Sequence, residues 1–278
     1  MAGVVAITTT ARYLDHAFRD WCFHHLRLAD LVYLWLDDPA ELASPHLPRD
    51  PRIRAAPGAQ TISGSTHGNM MVRQDENAKR ALALCLREGI DWLVHLDSDE
   101  LLDAPSRAIL DYALAPPNGQ VLFLNHEVCP QWSCVNPFRD CHHFKLNGKL
   151  GFNLYANGKT AVRVGPHVYP RDAHSFAGFE GPSVSATSSS ILHYACPSYD
   201  RWLAKYIALG DFPDCWWDDP QHRITLSFHV ASRDICKRCG ANGDFDPARQ
   251  FWASQVVTPP SLDRLMREGK VGWFAPVT

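Results

Sequence analysis

From Val4 to Val128 short apolar runs alternate with helix-compatible segments, and this alternation limits the possible folds more than any other feature of the chain. "VVAITTT" (Val4–Thr10) is a run of mainly β-branched residues, and "DLVYLWLDD" (Asp30–Asp38) is a second strand ending in two carboxylates. "DWLVHLDSDELLD" (Asp91–Asp103) is a third, running into Asp97, Ser98, Asp99 and Glu100, and "GQVLFLNHEV" is a fourth. Between the first two, "ARYLDHAFRDWCFHHLRLA" spaces Leu14, Phe18, Trp21, Cys22, His25 and Leu28 at helical intervals. The Pro-rich connection "PHLPRDPRIRAAPG" leaves room for one short strand at Ile53. Met70 to Glu88 is a helix on propensity, stopped by Gly89, and "SRAILDYALA" is a helix with Ser106 as its N-cap. Such a pattern predicts an α/β fold: an open, mostly parallel sheet with helices on both faces. Ligands of these sheets bind beyond the carboxyl ends of the strands, and Asp37, Asp38, Asp97, Asp99 and Glu100 are all expected there.

Beyond residue 128 the chain changes character. It becomes loop-rich and heavy in Pro, Trp, Cys and His, with one clear helix, "SYDRWLAKYIALG", striped by Trp202, Tyr206 and Leu209. At 278 residues the whole can form one large domain, divided for description into residues 1–128 and 129–278. A formal net charge of -3 gives no electrostatic case for nucleic acid or an anionic membrane surface. No apolar run approaches the roughly 20 residues of a membrane-spanning helix, so no integral membrane segment is expected. "MAGVVAITTTARYLDHAF" reads as a first core strand and not as a signal peptide. Nine cysteines, mostly single in apolar surroundings, suit a reducing, cytoplasmic setting.

Three carboxylates in four residues repel one another, and a hard divalent cation removes that repulsion; oxygen ligands suit Mg²⁺ or Mn²⁺. In an extended chain Asp97 and Asp99 would present their carboxylates on the same side. The competing reading is plain: acids after a strand often cap a helix or face water.

These residues also resemble a known pattern. "DWLVHLDSDELL" is similar to the D-x-D strand of GT-A glycosyltransferases in the family 2 and family 92 neighbourhood. "ILHYACPSYDRWLAKYIALG" (Ile191–Gly210) resembles their "HY...S...F..K...G" segment, with His193, Tyr194, Ser198, Trp202, Lys205 and Gly210 at the matching places. "YLDHAFRDWCFHHLRLADLVYLWLDD" resembles their opening helix and second strand, although the usual Asn-Glu start is replaced by "TTTARY". "GKTAVRVGPHVY" and His174 resemble a further segment.

The resemblance implies a GT-A-like, Rossmann-like fold and a metal-dependent, hexosyltransferase-like enzyme. It would move a sugar from a nucleotide-sugar donor to a hydroxyl acceptor (glycan, lipid, protein or small molecule) with inversion. It maps Asp97, Asp99 and His193 to the Mn²⁺ or Mg²⁺ site, Asp99 being the more direct ligand, and Lys205 to the diphosphate oxygens. Asp37 or Asp38 would contact the nucleoside. Candidate general bases are Glu127, Asp172, His174 and Glu180, with Asp172 favoured for its place before His174 in a Pro-flanked loop. Residues 1–128 would form the nucleotide-sugar-binding half, and 129–278 the acceptor side and the return of His193 to the metal. A second reading is a catalytically silent nucleotide- or carbohydrate-binding protein, or another metal-dependent enzyme such as a phosphodiesterase.

Other features have simpler readings. Cys236 and Cys239 ("CKRC") with Cys129, Cys134, Cys141, His142 and His143 lack the spacing of structural zinc, so packing or one local disulfide is expected. His24 and His25 are expected at a helix surface and core edge. Trp216 and Trp217 suit either a sugar-stacking platform or the core. The loop Gly64–Asn69 has no phosphate-loop spacing and reads as solvent-facing.

Overall fold

The alternation translates into two larger sheets that share one polypeptide back and forth, with a separate two-stranded hairpin beside them. The structure, a computed structural model, describes residues 3–60, 66–216 and 219–277. In chain order the elements are β1 (Val5–Ala11), α1 (His16–His25), β2 (Leu31–Leu36), a 3₁₀ turn (Pro39–Ala43), β3 (Ile53–Pro57), α2 (Thr66–Glu88) and β4 (Trp92–His95). There follow β5 (Glu100–Asp103), α3 (Arg107–Ala113), β6 (Gln120–Phe123), β7 (Asn125–Val128), α4 (Pro137–Asp140), β8 (His143–Lys145), β9 (Lys159–Arg163), β10 (Tyr169–Asp172) and β11 (Ser175–Ala177). The chain continues through β12 (Ser183–Ser185), β13 (Ser190–His193), α5 (Tyr199–Leu209), α6 (Ser227–Asn242), α7 (Asp246–Gln255), α8 (Pro259–Arg267) and β14 (Val271–Trp273).

The larger sheet has the order β12-β6-β9-β4-β1-β2-β3. Its β4-β1-β2-β3 side is parallel throughout, and β9 runs antiparallel between β4 and β6. Side chains alternate across the strands, as a pleated sheet requires. Val5, Ile7, Val32, Leu34, Leu36, Trp92 and Val94 face the cluster that takes in Phe18, Trp21 and Cys22 of α1 and Leu110 of α3. Ala6, Tyr33, Trp35 and Leu93 face the other way, onto Ala81, Leu82 and Cys85 of α2. The mostly parallel α/β architecture with helices on both faces is thus the one the pattern predicts.

The second sheet has the order β14-β8-β7-β13-β5. Strands β9 and β12, from beyond residue 128, join the first sheet, while β5 and β7, from before it, join the second. A third apolar cluster, built by α5, α6 and α7 around Trp202, Tyr206, Phe228, Cys236, Cys239 and Trp252, closes the C-terminal part. Among the described residues no helix is long and apolar enough to cross a membrane.

Several local expectations change. "GQVLFLNHEV" is two strands in different sheets, β6 and β7, separated at Leu124. Helix α2 begins at Thr66, so the end of the expected Gly64–Asn69 loop is helical; Gly64 and Ser65 lie outside the described residues. His24 and His25 are buried, at 6% and 0% exposure. His24 Nε2 lies 2.8 Å from the Leu102 carbonyl, and His25 accepts from the Leu102 amide at Nε2 while Nδ1 meets the Trp21 carbonyl. These rings tie α1 to β5 and have no surface role. Trp216 packs half-buried against the third cluster, and Trp217 lies outside the described residues.

Candidate functional site

The acidic stretch is a tight turn and not an extended segment. The Glu100 amide donates to the Asp97 carbonyl (3.1 Å), and the Asp97 amide donates back to Glu100 Oε2 (2.8 Å). Glu100 therefore does not stand at a strand's solvent rim: it opens β5 and is fully buried. Asp97 and Asp99 point into different surroundings, and each meets its own lysine.

Asp97 meets Lys159. Strand β9 runs antiparallel to β4 with Val94 opposite Ala161, so continuing that register brings Lys159 level with Leu96, beside the turn. Lys159 has 0% exposure; its Nζ lies 2.8 Å from Asp97 Oδ2 and 3.8 Å from Glu100 Oε2, and donates to the Ala173 carbonyl at 2.9 Å. Gln74 Nε2 donates to Asp97 Oδ1 at 2.8 Å. Gln74 arrives on the face of α2 that also carries Asn77, Ala78, Ala81, Leu82 and Cys85, the helical spacing that buries α2 on the sheet. Arg73, next to it, holds Asp37 in two parallel bonds of 2.7 and 2.9 Å. Asp38 caps the 3₁₀ turn through the Ala40 amide (2.9 Å).

Tyr155 ties the group together. Its hydroxyl lies 3.1 Å from Asp97 Oδ2 and also contacts Glu100 Oε1. A phenol has one proton, so both contacts are satisfied at once when Glu100 carries a proton of its own. The electrostatics agree. Burial pushes the Glu100 carboxyl up to about 8, with Lys159 opposing and the Asp97 charge adding to it. Burial would raise Asp97 too, but Lys159 and His95 outweigh it and hold that carboxyl well below the usual range. The negative charge thus rests on Asp97 and the proton on Glu100.

Asp99 meets Lys205 and His193. Trp202 and Tyr206 bury one face of α5, and Lys205, between them in sequence, reaches back to Asp99 Oδ2 (3.0 Å) and the Ala195 carbonyl (3.2 Å). Both side chains of this pair remain about one-third exposed, at 35% for Asp99 and 31% for Lys205. His193 ends β13, in register with Glu127 of β7 on one side and Glu100 of β5 on the other, so the three share a row across the second sheet. Its Nε2 lies 3.8 Å from Asp99 Oδ1, while its buried Nδ1 has no hydrogen-bond partner. Burial lowers the His193 pKa, with Asp99 opposing, so the ring is held neutral. Tyr155 stacks on it, and His174 also meets Tyr155, edge-on at 4.5 Å.

Among the described residues no group of three or more His, Cys, Asp or Glu side chains is placed to hold a metal ion. The reason is visible in the hydrogen bonds. Gln74, Lys159 and Tyr155 occupy both oxygens of Asp97, and Lys205 occupies one oxygen of Asp99. A metal-bound histidine also usually donates its second ring N–H to an acceptor, which His193 Nδ1 lacks. The expected Asp97, Asp99 and His193 ligand set therefore does not fit Mn²⁺ or Mg²⁺. The same absence applies to the Cys129, Cys134, Cys141, His142 and His143 group, and all nine cysteines are unpaired.

Of the expected bases, Glu127 is 2% exposed and its carboxylate takes Lys145 Nζ (2.9 Å) and the amides of Asn153 and Leu154 (2.8 Å each). Asp172 accepts from the His174 amide (2.7 Å) and the Ser175 hydroxyl (3.1 Å) in the β10–β11 hairpin. His174 Nδ1 meets the Gly158 carbonyl at 2.8 Å, and burial, with Lys159, lowers its pKa to about 4. Sequence reasoning did not single out Lys159, Tyr155 or Gln74. Lys159 does fall inside the "GKTAVRV" stretch, where a lysine opening a short strand ahead of Ala161 and Val162 is the one available signal.

No family model matches the chain. It is similar to two Arabidopsis thaliana proteins named glycosyltransferase-like, At2g41451 (30% identical over 173 residues, 52% of this chain) and At3g57200 (28% identical, 52% of this chain). The aligned part spans 38% and 33% of those relatives' own lengths, so the chain matches about a third of each. Among solved structures it matches a 4-diphosphocytidyl-2C-methyl-D-erythritol synthase from Anaerococcus prevotii at 12% identity and a TM-score of 0.32, over 58% of this chain and 70% of that one.

Proposed function

We propose that the chain is a GT-A-like glycosyltransferase that moves a sugar from a nucleotide-sugar donor to a hydroxyl acceptor. One observation carries the reading: the β4–β5 turn, the end of β13 and the middle of α5 bring Asp99, His193 and Lys205 to one place. Those are the positions at which the sequence resembles glycosyltransferases, and the similarity to two glycosyltransferase-like proteins supports it. In this reading Lys205 meets a diphosphate oxygen, because about a third of its side chain remains exposed beside Asp99. Asp99 and His193 orient it and the donor sugar.

In the transfer the acceptor oxygen bonds to the anomeric carbon as the bond from that carbon to the diphosphate oxygen breaks. The electron pair leaves with the nucleoside diphosphate, and the acceptor proton passes to a base. With inversion, Asp172 or His174 serves as that base; Glu127, saturated by three donors, is assigned a structural role. We assign the donor to the end of the first sheet and the acceptor to the side built by residues 129–278.

The test is a thermal-shift panel of nucleoside diphosphates and nucleotide sugars, followed by assay of sugar release. A ligand that binds only the folded state raises the melting temperature by mass action. Stabilisation by one nucleotide class, lost in Asp99→Asn and His193→Ala variants that retain a native circular dichroism spectrum, is expected. A panel without any shift and without donor turnover would sink the transferase reading and favour a silent carbohydrate-binding role.

A further inference from the structure

Clustered carboxylates in a phosphate-handling site normally need positive charge from somewhere, and here two lysines already supply it. Asp97 and Asp99 carry two negative charges; Lys159 and Lys205 carry two positive ones, each within 3.0 Å of its own aspartate. His193 Nε2 stands 3.8 Å from Asp99, and Glu100 is turned away, its carboxyl taking the Asp97 amide and the Tyr155 hydroxyl. A divalent cation entering this site would find no excess negative charge. To bind Asp97 it would have to displace an ammonium that is wholly enclosed and anchored to the Ala173 carbonyl. Removing that partner leaves an uncompensated buried charge, which is strongly unfavourable. The two lysines are also placed unequally. Lys159 is sealed inside and can only neutralise Asp97, whereas Lys205 is partly exposed and its ammonium has a donor beyond the two bonds to Asp99 and Ala195.

We propose that this site binds a nucleoside diphosphate group without a divalent cation, Lys159 neutralising Asp97 from within and Lys205 contacting the phosphate oxygens directly. The proposal rests on the transferase reading above and adds to it the means by which the diphosphate is held. Lys159 is a positioning residue in this scheme, because it touches no ligand. Asp99 holds Lys205 in place in the way a ligand shell holds an ion, and an ammonium acts as a point charge toward phosphate.

The experiment is titration calorimetry of UDP, GDP, CDP and ADP into the full chain, in EDTA and in excess Mn²⁺, with Mn²⁺ alone followed by electron paramagnetic resonance. At least one diphosphate should bind with an affinity that changes less than about threefold between the two buffers, and Mn²⁺ alone should stay free. Lys205→Met should weaken that binding about tenfold or more in EDTA, and Lys205→Arg, which keeps the charge, should restore most of it. Wild-type binding that is lost in EDTA and restored by Mn²⁺ overturns the proposal and leaves the transferase reading intact. Tight Mn²⁺ binding by the unliganded protein overturns it as well. Absence of diphosphate binding in both buffers removes the proposal together with the reading beneath it. Should Lys205→Met fail to fold, the wild-type comparison between buffers still decides.

Discussion

The ring of Tyr155 stacks on the imidazole of His193, centroids 4.6 Å apart and planes 27° from parallel. The same residue's hydroxyl bonds the acidic turn, so one side chain from the β8–β9 connection holds both the strand end and the turn in place. Tyr155→Phe keeps the stack and strips a hydrogen bond from partly buried carboxyls, an expected loss of about 1–3 kcal/mol. Tyr155→Ala removes the ring too and should cost about 3–5 kcal/mol. Urea denaturation of both variants checks this, and equal losses would mean that the stack contributes nothing.

Lys159→Met should be among the most destabilising single changes in the protein. It leaves Asp97, whose side chain is only 20% exposed, without its cation, and breaking a buried pair from one side costs about 3–5 kcal/mol. Adding Asp97→Asn should return much of that loss, because the orphaned charge goes with it. A double variant no more stable than Lys159→Met would show that Lys159 stabilises by packing alone.

Gly158 stands at the entry to β9 with φ +70°, and a Cβ there would sit 2.1 Å from the Phe123 carbonyl oxygen. Backbone has to move to accept it, so Gly158→Ala should cost about 3 kcal/mol or more and displace Lys159. Gly243 has the same φ of +70° at the end of α6, but open space around it. Gly243→Ala should cost only about 1 kcal/mol. Paired chemical denaturation curves test the contrast; similar losses would refute the assigned clash.

Stability should fall as pH drops from about 6.5 towards 4. Burial, with Lys159 next, lowers His95 and His174 to about 4, against 6.5 for a free histidine. Within that window the unfolded chain binds protons that the folded chain refuses, so acid favours unfolding; above about 6.5 the effect vanishes. The charged groups facing these rings are Lys159, Asp97 and, for His174, Asp172. Urea midpoints at pH 7.5 and pH 5 in wild type and in a His95→Gln, His174→Gln variant measure it. An unchanged pH slope in the variant would assign the effect elsewhere.

The local code of the sequence reached far into this fold. A β-branched run marked β1 and apolar runs marked β2 and β4, and Ser106 was legible as the cap of α3, where its hydroxyl accepts from the Ile109 amide. Helix α1 starts later than its apolar spacing suggests, because β1 continues to Ala11 and Asp15 caps the Ala17 and Phe18 amides. The division of "GQVLFLNHEV" was not legible, since nothing local says that Asn125 will bond the Tyr155 carbonyl and the Gly158 amide, far along the chain, and draw β7 into a second sheet. At the candidate site, Asp97 and Asp99 stood out by their spacing, and His193 and Lys205 only through the resemblance. Lys159 did not, because an ion pair across antiparallel strands depends on a register that only the assembled sheet defines. The acidic cluster therefore signalled a missing positive charge, while the identity of its carrier lay outside the reach of local pattern.

Strand β13 lies inside the second sheet, between β7 and the edge strand β5, although both neighbours precede it by a long stretch of chain. On the ribosome, β5 and β7 emerge well before the strand that joins them, and each waits with an open hydrogen-bonding edge. Such edges invite pairing with the wrong partner, and pairings this distant form slowly. Synthesis thus passes through a stage at which the first sheet can close while the second gapes, and a pause or a truncation before Ser190 would release a chain exposed to aggregation at the strands that later frame His193.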